Sequence, residues 1–127
     1  MDRCRHITVE RRGEVFCVRL RRPRLNEPDT YQFADEVIEL VSRDGCRRLA
    51  LSLGPEPLDC MYSVFLAKLI TIQRKLREYD GEMVLCEVPS IVMPIFEATK
   101  LDTQFHFVPD FVAAASRWAN GPVESLR

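Results

Sequence analysis

No uncharged run in this chain approaches the roughly 20 residues that a membrane-crossing helix requires. The longest, Val88–Phe96, is short and holds two prolines. The opening residues MDRCRHITVERRGE have no apolar core and are expected not to act as a secretory signal. Charge of one sign is also missing, since 18 basic and 19 acidic side chains leave a formal net charge of −1. That balance argues against a dedicated nucleic-acid or membrane-surface protein. Histidine is scarce, at two residues, and no two cysteines form a CxxC pair, so no metal site is expected. The phosphate loops GxGxxG and GxxxxGK[ST], the GxSxG elbow and HExxH are all absent. His106 with Cys60 or Cys86 could form a dyad, but nothing in the spacing supports one. The sequence therefore predicts a protein that is not an enzyme and needs no cofactor.

What is present suits one domain spanning residues 1–127. A 127-residue chain with 46% hydrophobic residues is long and apolar enough for one packed core. The five cysteines, at 4, 17, 46, 60 and 86, are odd in number and read as free thiols of a reducing, cytoplasmic setting. Charge is unevenly spread along the chain. Through residue 24, eight arginines stand against Asp2, Glu10 and Glu14, which leaves +5, and the remainder carries −6. Arg19 and Arg21 alternate with Phe16, Val18 and Leu20, so they are expected on a solvated strand face rather than in a binding patch.

Ile7–Arg11 and Val15–Arg21 alternate in polarity and predict a hairpin turned at Gly13-Glu14. Pro23 and Pro28 bracket a loop. A helix capped by Asp29 or Thr30 follows, with Phe33, Val37, Leu40 and Val41 on one face, and it ends at Asp44-Gly45. Arg48–Leu53 predicts a buried strand. A second helix begins near Cys60–Ser63 with a core stripe of Val64, Phe65, Leu69, Ile72 and Leu76. Asp80-Gly81 repeats the helix-glycine-strand junction ahead of a strand at Glu82–Cys86. Ser90 is the expected cap of a short third helix with Ile91, Ile95 and Phe96 inward. Phe105–Val108 predicts the last strand. Asp110 then caps a helix to about Ala119, with Phe111, Ala115 and Trp118 inward, and 119–127 reads as a tail after a core of about 7–118. The order β-β-α-β-α-β-α-β-α predicts an α/β fold. Its mixed, mostly parallel sheet of four to five strands would pack with about four helices.

This order, and the stretch from Arg48 to Gly81 in particular, resembles the STAS domain of bacterial anti-sigma-factor antagonists. That family typically shows a buried strand, a loop, and Leu-Asp-Ser-Ser-Gly opening an amphipathic helix. Leu58-Asp59-Cys60-Met61-Tyr62 occupies that place here, followed by SVFLAKLITIQRKLREYDGEMVLCEV. Phe96–Asp102 looks like the family's common helix end, and Pro109-Asp110 like its last helix start. The resemblance covers roughly residues 7–118 and rests on the whole pattern, since no single motif in it is diagnostic. In the family the second serine is commonly phosphorylated by a partner kinase, and the added charge expels that partner. Here the position is Met61, which cannot accept phosphate; Cys60 and Tyr62 replace the first serine and the glycine, and Asp59 remains. A family acidic position after the second strand falls on Asn26, and the strand-end Asp on Ser52, with the following loop one residue shorter.

The resemblance implies a non-catalytic interaction domain that binds a kinase-like anti-sigma factor without the usual serine switch. The partner-binding candidates are Asn26, Asp59, Cys60, Met61, Tyr62 and Ser63. Met61 and Tyr62 are the strongest, because methionine is flexible and apolar and tyrosine is favoured at interfaces. Asp59 is expected to hold the loop as a helix cap does. Cys60 reads first as an inert small residue, and second as a thiol activated by a helix N-terminus. Ser63 reads first as an ordinary helix residue, and second as a displaced phosphoacceptor. Two other functions stay open: a scaffold subunit of a transporter-associated or stress-signalling assembly, and a small-ligand or nucleotide binder at the Ser52–Asp59 loop, beyond the strand ends. The composition permits a homodimer and does not require one.

Overall fold

Strands β1 (Ile7–Arg12), β2 (Val15–Leu20), β3 (Arg48–Ser52), β4 (Glu82–Cys86) and β5 (His106–Val108) lie side by side in chain order. The computed structural model describes residues 4–56, Asp59 and 63–125, with 120–125 as helical backbone only. β1 runs antiparallel to β2, with Ile7 opposite Leu20 and Arg12 opposite Val15. The remaining pairs are parallel. Helices α1 (Glu27–Ser42), α2 (Ser63–Glu78), α3 (Met93–Ala98) and α4 (Phe111–Ser125) alternate with the parallel strands. The predicted mixed α/β architecture is therefore the observed one.

Period two divides the strand residues between two cores. Phe16, Val18, Leu49, Leu51, Met83 and Leu85 meet Phe33 and Val37 of α1, Phe65, Leu69 and Ile72 of α2, and Phe96 of α3. Their alternates Val15, Cys17, Ala50, Val84 and Cys86 meet Phe111, Ala114 and Trp118 of α4. Both faces of the parallel strands are covered, as the crossover helices of a parallel sheet require.

Several local expectations are corrected. α1 starts ahead of Asp29 and Thr30. Asn26 is its cap, accepting from the Asp29 N–H at 2.8 Å while the Asp29 carboxylate accepts from the Asn26 N–H at 3.3 Å. Pro28 sits in the first helical turn, where a missing N–H costs nothing. Arg19 is partly solvated, as its side chain keeps 41% exposure, but it lies at the rim of the face that α4 covers, with its guanidinium 4.3 Å from the centre of the Phe111 ring. Ser90 makes no cap, since the residue before α3 is Val92, which is buried while Ile91 is 70% exposed. Ala114 rather than Ala115 faces inward, at helical spacing from Phe111 and Trp118. α4 runs on to Ser125, past the expected end near Ala119. Asp110 does cap it, accepting from the Ala113 N–H at 2.9 Å.

The two helix-glycine junctions also differ. Gly45 takes the left-handed backbone at φ +75°, but at the second junction Asp80 takes it, at φ +60°. Gly81 is required for space instead, because a Cβ there would come within 2.8 Å of the Arg47 carbonyl and the Leu76 side chain.

Candidate functional site

Parallel pairing sends the carboxyl ends of β2, β3, β4 and β5 to one edge of the sheet, where four loops meet. A carboxylate ties three of those strand ends together. Glu87, the residue after β4, accepts from Arg19 Nη2 at 2.9 and 3.2 Å and from the Ser52 hydroxyl at 2.5 Å. Its backbone is left-handed, at φ +56°, and its N–H donates to the Pro109 carbonyl at 3.0 Å. The Ser52 hydroxyl oxygen also accepts from the Gly54 N–H at 3.2 Å. Gly54 is pressed against Glu87 and Pro89, so any Cβ would overlap the Glu87 carbonyl. The Ser52 side chain is buried within this network rather than presented to a ligand.

A second set of bonds joins the loop after β2 to the segment before α2. The Asp59 N–H donates to the Pro23 carbonyl at 2.5 Å, and Arg24 pairs with Asp59 as an isolated parallel bridge. Arg24 Nε lies 3.0 Å from the Asp59 carboxylate. Between the two loops is a cavity of about 170 Å³, walled by Leu20, Arg21 and Pro23 on one side and Ser52, Gly54, Pro55 and Glu56 on the other.

The predicted site residues distribute as follows. Asn26 is exposed at the start of α1, two residues past Arg24, and its side chain is engaged in the cap. Asp59 is exposed and paired with Arg24. Ser63 is exposed as the first residue of α2. Cys60, Met61 and Tyr62 lie outside the described residues. Sequence reasoning missed Glu87, its pairing with Arg19 and the Arg24–Asp59 bridge. Glu87 left one signal, a charge directly after the four buried residues that end β4.

Cys17, Cys46 and Cys86 are buried thiols. Burial pushes the Cys86 thiol up to about 12, and the Glu87 charge adds to the rise. Burial likewise raises Cys46 to about 12 and raises Cys17. His106 is exposed and stands opposite Val84 in the ladder, while Cys86 stands opposite Val108. Among the described residues no cluster of His, Cys, Asp and Glu is placed to hold a metal ion, and no helix is long and apolar enough to cross a membrane.

A five-strand sheet with this hairpin, these crossovers and a loop-built carboxyl edge is the STAS fold. The chain belongs to the anti-sigma-factor antagonist family. It is 32% identical over 92 residues to BtrV of Bordetella bronchiseptica, named as an anti-sigma factor antagonist, and the match covers 72% of this chain and 77% of that protein. A crystal structure of a Thermotoga maritima protein, also described as an anti-sigma factor antagonist, matches with a TM-score of 0.73 at 18% identity over 87% of this chain and 92% of that one. The STAS domain protein of Planctomyces limnophilus matches with a TM-score of 0.70 at 19% identity over 87% and 96%. No family model matches the chain.

Proposed function

We propose that this protein is a non-catalytic interaction domain that docks a kinase-like anti-sigma factor in the cytoplasm without the usual serine phosphoswitch. The docking edge is the carboxyl end of the sheet, through Asn26 and the segment Asp59–Ser63. The observation that carries the reading is the Arg24–Asp59 bridge, backed by the Asp59 N–H bond to Pro23. It holds the loop after β2 beside Asp59, two residues ahead of the family's phosphoserine position, which supports reading Asn26 and Asp59 as parts of one surface. Met61 stands at that position and offers no hydroxyl for phosphate. A phosphoserine would add about −1.5 to −2 charges there, and methionine removes that control.

The test is affinity capture from the native lysate, with and without ATP, read by mass spectrometry. The expected result is a kinase-fold regulator recovered equally under both conditions, with Met61→Asp weakening recovery by mimicking the missing charge. Recovery only without ATP would overturn the claim of a lost switch and direct attention to Ser63. Recovery of transport or scaffold proteins in its place would overturn the choice of partner.

A further inference from the structure

The eight arginines of the first 24 residues do not act as one patch. Arg12 pairs with Glu10 at 2.9 Å, and Arg19 pairs with Glu87 at 2.9 Å. Arg21, Arg22 and Arg24 are exposed together in the loop after β2. Among the described residues neither Arg21 nor Arg22 has a carboxylate partner, and Arg24, though bridged to Asp59, keeps a side chain 81% exposed. The loop is held at both ends: the Arg21 N–H donates to the His6 carbonyl at 2.9 Å, and the Pro23 carbonyl accepts from Asp59. Arg21 and Pro23 also form one wall of the cavity at this edge.

We propose that the loop Arg21–Arg24 docks an acidic segment of the protein partner. This deepens the partner-binding reading above and rests on it. Guanidinium groups pair with carboxylates through two parallel hydrogen bonds, and a backbone already fixed at both ends loses little freedom when they do so. Leu20 and Pro23 place apolar surface beside the charges, which suits a peptide better than a phosphate chain. The patch is also narrow. Asp59 pairs with Arg24, Glu56 lines the same cavity as Arg21, and the chain beyond residue 24 carries −6, so a long polyanion meets more repulsion than a short acidic segment does.

The experiment measures fluorescence anisotropy of a fluorescein-labelled peptide of alternating Glu and Leu against the full chain, with a Lys-Leu peptide as control. The acidic peptide is expected to bind, to weaken several-fold from low to physiological salt, and to lose about tenfold or more in affinity with Arg21→Glu/Arg22→Glu. A circular dichroism melt checks that the reversed chain is folded; if it is not, Arg21→Gln/Arg22→Gln carries the same test. Absence of binding, or binding that both variants leave unchanged, overturns the proposal. So does an oligonucleotide of equal charge that binds as tightly as the peptide, which would make the loop a nucleic-acid contact. Capture of a kinase-fold regulator by the unaltered chain decides the partner reading separately, so a silent peptide leaves that result standing.

Discussion

The two faces of the sheet solve the same burial problem with different side chains. Three helices cover one face with large groups, including Phe33, Phe65 and Phe96, and the first two stack at 5.4 Å to join α1 to α2. One helix covers the other, where the strands present Val15, Cys17, Ala50, Val84 and Cys86, and α4 answers with Phe111, Ala114 and Trp118. The first face gains its stability from volume. The second gains it from close approach, which small strand residues allow. Its edges are polar: Trp118 Nε1 donates to Glu82 at 2.6 Å, and Arg19 lies over Phe111.

The contrast can be broken from either side. Phe65→Ala should cost about 3–5 kcal/mol in urea unfolding, because it opens a cavity where α1 and α2 meet. Ala50→Leu should cost about 1–3 kcal/mol by the opposite route, crowding the space under α4. If Ala50→Leu proved neutral, close approach would not be what the second face depends on. The smallest effect is one of pH. The thiols of Cys46 and Cys86 are raised from 9.0 to about 12, so between those values the folded state holds protons that the unfolded state has released. Stability from this source is whole below about pH 9 and falls as pH climbs toward 12. Cys86→Ala should flatten part of that fall relative to the unaltered chain, in urea melts run in parallel at about pH 8 and about pH 10.5.

How far the fold could be read ahead of the structure follows the same division. Period-two and helical spacing of large apolar residues marked the first face, and Phe16, Val18, Phe65, Leu69 and Ile72 fell where expected. The second face was harder because cysteine and alanine carry little pattern, and because nothing near Arg19 in the chain points to its partner. That partner, Glu87, is 68 residues away in the chain, and its second bond, to Ser52, spans 35. Bonds of such range leave no local trace. The start of α1 was misplaced for a local reason: Pro28 reads as a breaker, yet the first turn accepts it. At the candidate site, Asn26 and Asp59 were singled out by resemblance, while the bridge from Arg24 to Asp59 joins segments far apart in the chain and leaves no local trace.

The order of strands has a consequence in time. Each strand lies next to its neighbour in the chain, so during synthesis no strand has to be inserted between two that have already paired. The large-residue face can gather as α1 and α2 emerge. The small-residue face cannot, because its cover is α4, which follows every strand of the sheet. Until then Val15, Cys17, Ala50, Val84 and Cys86 form an uncovered apolar strip on a nascent sheet, and that interval is when the chain is most exposed to aggregation or to chaperones.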